Sequence, residues 1–226
     1  YEIRPCDWSS DVCSSDLLPE KFRTQLEGAI DAYATSQNVN ADRPEAHLNL
    51  GLIAVAVGDA QQAEQSYMTA MRLDPTFSPA YVNLADLYRQ QQRDDDGERT
   101  LRAGIGAVAQ NADMQHALGL LLVRRKRLDD ALPYLRRAAE SEPRQARYAY
   151  VYALALQAAG DAVQALNVLE EVVSHDPAHR DALFALVTIN RDSGDTAVAQ
   201  RYADQLSAHY PNDPQVLALR RELEGR

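Results

Sequence analysis

Five histidines and two cysteines are the side chains of this sequence best suited to hold a metal or activate a nucleophile, and their spacing supports neither role. His47, His116 and His209 are isolated. His175 and His179 stand four apart, the separation that places two ligands on one helical face. Asp176-Pro177 lies between them, and a proline pushes the residue before it out of the α region. The pair is therefore expected in a surface loop. Cys6 and Cys13 have no second cysteine pair and no histidines at ligand spacing, which excludes a zinc knuckle and leaves a disulfide as the alternative use. The chain contains no G-x-S-x-G, no H-E-x-x-H, no phosphate-binding P-loop and no glycine-rich dinucleotide turn. It is expected to have no catalytic residue, metal site or cofactor, and to be non-enzymatic.

Binding remains, and the charge restricts it. A formal net charge of −10 argues against nucleic acid, whose phosphates need a clustered positive surface. The one basic cluster, Arg124-Arg125-Lys126-Arg127, falls between two helices and is expected to be a solvated turn whose cations complement a helix C-terminus. No apolar run approaches the roughly 20 residues of a membrane span. Membrane insertion is not expected.

The elements that would position a binding surface recur with a period of 34. The stretch from Pro44 to Pro75, PEAHLNLGLIAVAVGDAQQAEQSYMTAMRLDP, sets the pattern. One row holds Leu50, Leu84, Leu118, Tyr152 and Leu186, and the next holds the small residues Gly51, Ala85, Gly119 and Ala153. Further small rows follow at Ala63, Gly97, Ala131, Ala165 and Ala199, and at Ala70, Gly104 and Ala138. Pro75, Pro143, Pro177 and Pro211 close the units, with Ala109 as the exception. A fixed period of this length is that of a helix-turn-helix repeat. Small residues recur because antiparallel helices at close separation leave no room for long side chains where they cross. Tyr67, Leu101, Leu135 and Leu169 fill the space between. Pro44 suits a helix start, while Gly58-Asp59, Gly160-Asp161 and Gly194-Asp195 break one helix before the next.

Full repeats are expected at about 44–77, 78–111, 112–145, 146–179 and 180–213, with a partial repeat at 19–43 and a capping helix at 214–225. Apolar residues at Phe22, Leu26, Ala29, Ile30 and Tyr33 make the segment from Pro19 to Gln37 an amphipathic helix. In the 34-residue frame it is the second helix of a repeat whose first helix is displaced, so the native protein is expected to continue upstream. The second helix of repeat two carries Gly97, Gly104 and Gly106, each costing roughly 0.5–1 kcal/mol relative to Ala, and is the expected soft point.

Residues 1–17, YEIRPCDWSSDVCSSDL, lack the period and contain both cysteines and the only tryptophan. Back-translated, Asp7 to Leu17 resembles a common short-read sequencing adapter. The segment is expected to be non-native and disordered, leaving residues 18–226 as the fold. Without those cysteines the redox compartment is undetermined.

The rows, with Asn49-Leu50-Gly51 and Asn83-Leu84-Ala85 opening units closed by Asp-Pro, resemble the tetratricopeptide repeat (TPR) family over residues 18–226. That resemblance implies an all-α superhelical solenoid of antiparallel helix pairs, five full repeats plus flanking helices, whose first helices line a concave groove. The groove positions, carried over, are Leu48, Val82, His116, Tyr150 and Phe184 at the fifth place and Leu52, Asp86, Leu120, Leu154 and Thr188 at the ninth. Val55, Arg89, Val123, Gln157 and Arg191 follow at the twelfth, and Arg89, Arg124, Arg147 and Arg191 edge the stripe. The implied function is a protein-protein interaction scaffold. Its ligand would be a protein or peptide, or upstream domains of the same polypeptide. Leu48 and Val82 stand where the subclass that clamps a terminal carboxylate has lysine. NADRPEAHLNLG, PAYVNLADLYR and ARYAYVYALAL are also similar to the TPR tails of bacterial multihaem c-type cytochromes. The alternative is thus a non-catalytic arm of a larger enzyme, such as a multihaem redox protein or a glycosyltransferase-like assembly. Localisation would be periplasmic if the cytochrome resemblance holds, and otherwise cytoplasmic.

Overall fold

The computed structural model describes residues 20–224, and the readings of residues 1–17 lie outside that range. Twelve α-helices account for the regular structure of the described residues: α1 (Glu20–Asn38), α2 (Pro44–Ala56), α3 (Ala60–Leu73), α4 (Ser78–Gln90), α5 (Asp94–Ala107), α6 (Ala112–Arg124), α7 (Leu128–Ser141), α8 (Ala146–Ala158), α9 (Ala162–His175), α10 (Arg180–Asp192), α11 (Thr196–His209) and α12 (Pro214–Glu224). From α2 onward, first and second helices each begin 34 residues after their predecessors. Contacts divide the chain within α4, into a unit ending at Leu87 and another beginning at Tyr88.

In the first unit α2 packs on α1 and α3. Gly51 is buried against Tyr67, and a Cβ there would lie 2.3 Å from the tyrosine ring. The small row is thus a steric requirement imposed by the large one. Asn49 Nδ2 donates to Gln37 Oε1 at 3.0 Å, tying α2 to α1. α1 matches the segment expected from Pro19 to Gln37 within one residue at each end, and is longer than the other second helices. It runs for 19 residues against 14 in α3, and starts at Glu20 where the spacing from Ala60 would place the start at 26. The reason is local: Glu20 to Gln25 contains no glycine, proline or Asp-type cap to interrupt it.

In the second unit each of α6 to α11 packs on its sequence neighbours, and α12 closes on α11. The same interlock recurs where a Cβ on Gly119 would meet the Leu135 side chain at 2.5 Å. Leu118, Leu135, Leu169, Leu183 and Leu186 are fully buried. α7 tolerates Pro133 in its interior, on an exposed face.

The turns inside repeats share one geometry with two qualities of sequence. Gly58, Gly160 and Gly194 adopt φ of +83°, +88° and +86°, and the aspartate that follows each accepts a backbone N–H of the next helix, as Asp59 does from Gln62 at 2.9 Å. Glycine reaches this left-handed region without the Cβ clash, and the aspartate satisfies an orphan donor. At the equivalent positions Gln92 and Lys126 are forced to φ of 60° and 59°, and Arg93 and Arg127 offer no side-chain cap. Lys126→Gly and Gln92→Gly are therefore each expected to stabilise by about 0.5–1 kcal/mol, read as a rise in thermal midpoint. An unchanged or lower midpoint would contradict the assignment of strain to these turns.

Candidate functional site

Among the described residues no group of three or more His, Cys, Asp or Glu is placed to hold a metal ion. His175, at the end of α9, has its Nδ1 2.9 Å from the carbonyl of Glu171, while His179 caps α10 by accepting from the Ala182 N–H at 3.2 Å. A cleft of ≈ 270 Å³ in the first unit is lined chiefly by Ala34, Leu50, Ile53, Ala54 and Val57. Its one carboxylate, Asp59, is engaged in capping α3.

The basic cluster is matched by the acidic start of α5. Arg124 pairs with Asp94 at 2.6 Å, and Arg125 with Asp95 at 2.6 Å and Glu98 at 3.0 Å. Arg127 reaches Glu98 at 2.8 Å, as does Arg102, which also donates to the Tyr134 hydroxyl at 2.8 Å. Glu98 is only 9% exposed. Burial alone would raise its carboxyl, but hydrogen bonds from Arg102 and Arg127 and their charges more than offset this and hold it below the ordinary glutamate value. The sequence did not single out Glu98. A signal was present in the unpaired-looking run Asp94-Asp95-Asp96-Gly97-Glu98, lying one turn and one helix from four consecutive cations.

The face of the first helices carries the residues expected to bind. In the first unit Leu48, Val55 and Val82 are half-buried, Leu52 is exposed and Asp86 is exposed. In the second unit Arg89 lies at the end of α4, half-buried. α6 presents Leu120, half-buried, with Val123 and Arg124 exposed. α8 presents Arg147, Leu154 and Gln157 exposed and Tyr150 half-buried, and α10 presents Phe184, Thr188 and Arg191 half-buried. Leu154 and Val123 each retain 36% exposure, high for apolar side chains in mid-helix and at its last turn. Arg191 is engaged with Asp192 and with Glu222, both at 2.9 Å.

His116 is the correction among these positions. It is 6% exposed and covered by Tyr148 of α8, whose ring centroid lies 4.6 Å away, so it is a core side chain and presents no surface. Both its ring nitrogens are buried without a hydrogen-bond partner. Burial, and then the charge of Arg147, push its pKa down to about 4 against a smaller opposing effect of Asp113, leaving the imidazole neutral. Tyr148 donates its hydroxyl to Asp113, which fixes the covering ring. Only contact between successive first helices reveals this burial, and a 34-residue alignment does not encode it.

Tetratricopeptide repeat models match residues 54–121 and 156–223, and a second such model matches 116–166. No curated protein sequence matches significantly. Among solved structures, YrrB, described as a TPR protein with an unusual peptide-binding site, is 21% identical, with 85% of this chain and 99% of that chain covered and a TM-score of 0.65. PilW, described as a widely conserved type IV pilus biogenesis factor, is 17% identical over 88% of this chain and 93% of its own, with a TM-score of 0.69. Yeast Tom70 is 17% identical over 87% of this chain but 42% of its own, with a TM-score of 0.68. At these identities the likeness concerns the fold, and the narrower resemblance to cytochrome tails gains no support from it. With repeat models covering most of residues 54–223 and helices recurring every 34 residues, this all-α chain belongs to the tetratricopeptide repeat family.

Proposed function

We propose that the chain is a non-enzymatic interaction scaffold that holds an extended peptide or a helix of a partner protein along the first helices of its second unit. The observation that carries this reading is the run of apolar side chains left partly open on α6, α8 and α10: Leu120, Val123, Tyr150, Leu154 and Phe184. Core positions on the same helices, such as Leu118 and Leu186, are closed to solvent completely. A contiguous apolar patch with a polar rim marks a site of association. Arg147 and Gln157 supply that rim on α8, and the peptide-binding description of YrrB is consistent with such a use.

Aromatic side chains commonly carry the largest share of interface energy. Tyr150→Ala and Phe184→Ala are each expected to weaken binding at least tenfold for a peptide selected from a random library against the full chain, measured by calorimetric titration. Glu171→Ala, on the exposed surface of α9, should leave the affinity unchanged. Full-strength binding by both aromatic variants, with their helicity retained, would remove this face from consideration.

A further inference from the structure

The residue just before each first helix is where that helix can be capped, and one of these caps can change charge near neutral pH. In the 34-residue register the row is Arg43, Phe77, Asn111, Gln145, His179 and Asp213. Three of them supply a side-chain acceptor: Asn111 to the Met114 N–H at 2.9 Å, Asp213 to the Gln215 N–H at 2.8 Å, and His179, through Nδ1, to the Ala182 N–H at 3.2 Å. An amide oxygen accepts at every pH, and the hydrogen bond from Arg180 holds the Asp213 carboxyl below the ordinary aspartate value. Imidazole accepts through Nδ1 only while that nitrogen carries no proton, and histidine is the side chain whose charge changes between pH 5 and 8.

His179 also touches the binding face. Its ring centroid lies 6.2 Å from that of Tyr150 on α8, at an interplanar angle of 38°, and both side chains are half-buried. The main chain at this position is fixed on both sides: the His179 N–H donates to the Asp176 carbonyl at 3.0 Å, and its carbonyl accepts from the Leu183 N–H at 3.0 Å. Arg180 beside it is tied to Asp213 at 2.8 Å and Gln215 at 2.6 Å. The backbone is therefore held, and the imidazole is the part that can turn. Around it stand Arg147 and Tyr150 on α8, Asp176 in the preceding turn, Arg180 and Asp181 at the start of α10, and Tyr210 just past α11, whose hydroxyl donates to the Ala178 carbonyl at 2.6 Å. His175 is engaged on α9, its Nδ1 2.9 Å from the Glu171 carbonyl. Burial pushes the Tyr150 hydroxyl up, so that side chain stays neutral in this range. A proton on Nδ1 of His179 would set one N–H against another at the positive end of α10. The ring then has to leave the cap, and its contact with Tyr150 goes with it.

We infer that His179 is a proton-sensitive latch on the binding face: at neutral pH its ring caps α10 and backs Tyr150, and on taking up a proton it leaves both and weakens the hold on a bound peptide. The inference rests on the reading of α6, α8 and α10 as a peptide-binding face. Its first half, the loss of the cap, does not.

The test compares the full chain with His179→Asn, whose amide oxygen can cap α10 at either pH. The Ala182 amide resonance, followed by NMR from pH 7.5 to 5.5, is expected to move in the parent and to stay in the variant. The lower limit lies above the range in which His116 takes up its proton, about 4. Calorimetric titration at both pH values then uses a library-selected peptide blocked at both termini and free of histidine and acidic side chains, so that the protein alone titrates. The parent's Kd should rise about fivefold or more at pH 5.5, while that of His179→Asn, whatever its value at pH 7.5, should change less than about twofold. An Ala182 amide that does not move in the parent, or the same ratio of Kd values in both proteins, would overturn the proposal. Peptide affinity indifferent to Tyr150→Ala at pH 7.5 would defeat the groove reading and the peptide half of the latch with it; the Ala182 amide still decides the cap.

Discussion

His116→Leu is expected to raise stability at pH 7 by about 1–3 kcal/mol, an unusual sign for a change at a buried position. The imidazole is enclosed with both nitrogens unpartnered, so folding strips it of water and returns no hydrogen bond. Leucine is the residue that this repeat position carries in Leu48, and it needs no partner. The pH dependence gives a second reading. The folded pKa of His116 is about 4, below the 6.5 of the free side chain, so between these values the unfolded chain binds the proton that the folded chain refuses. Stability associated with His116 is complete above about 6.5 and is lost as pH falls towards 4. Asp113, Arg147 and the Tyr148 hydroxyl are the charged or titratable groups around it, and burial pushes the tyrosine up to about 12, outside this window. Thermal midpoints measured from pH 7.5 to 4 should thus decline less steeply in His116→Leu than in the parent chain. A variant less stable at pH 7, or with the parent's slope, would show that the histidine is satisfied in solution.

Glu98→Gln is expected to cost about 2–4 kcal/mol, because it leaves Arg102, Arg125 and Arg127 converging on a neutral amide whose NH2 cannot accept from them. The figure stays below the upper range for buried ion pairs since the three arginine side chains keep 29–42% of their surface in water. Glu140→Gln, which removes an exposed pair with Arg136 at 3.6 Å, should cost under about 1 kcal/mol and serves as the control. The depressed Glu98 carboxyl contributes stability that is complete above the ordinary glutamate value and is lost as pH falls through its folded value, an acid window below that of His116. Urea unfolding of both variants checks the contrast. Equal costs would mean that the arginines find other carboxylates.

What the sequence made legible, and what it concealed, follows the range of the interactions. Helix starts, the Gly-Asp turns and the buried rows depend on residues within one repeat, so the 34-residue period exposes them. Glu98 and His116 depend on neighbours in the adjacent repeat. The glycines of α5 read as a weakness, yet its first turn is tied to α6 and to the start of α7 by the Glu98 network, which glycine counting cannot register. α1 was legible both as an amphipathic helix and in length, Pro19 to Gln37 against Glu20–Asn38, because its apolar spacing runs on from Phe22 without a stop signal. The binding positions came from family register.

The hydrogen bonds and ion pairs between helices described above never join residues more than 35 apart, the longest being that of Tyr148 with Asp113. This limit has a consequence for synthesis. Closing such short loops costs little entropy, and a contact is possible as soon as its partner has left the ribosome, with no later segment required. The second unit can therefore accrete pair by pair behind the advancing nascent chain, and little apolar surface need wait for the C-terminus to arrive.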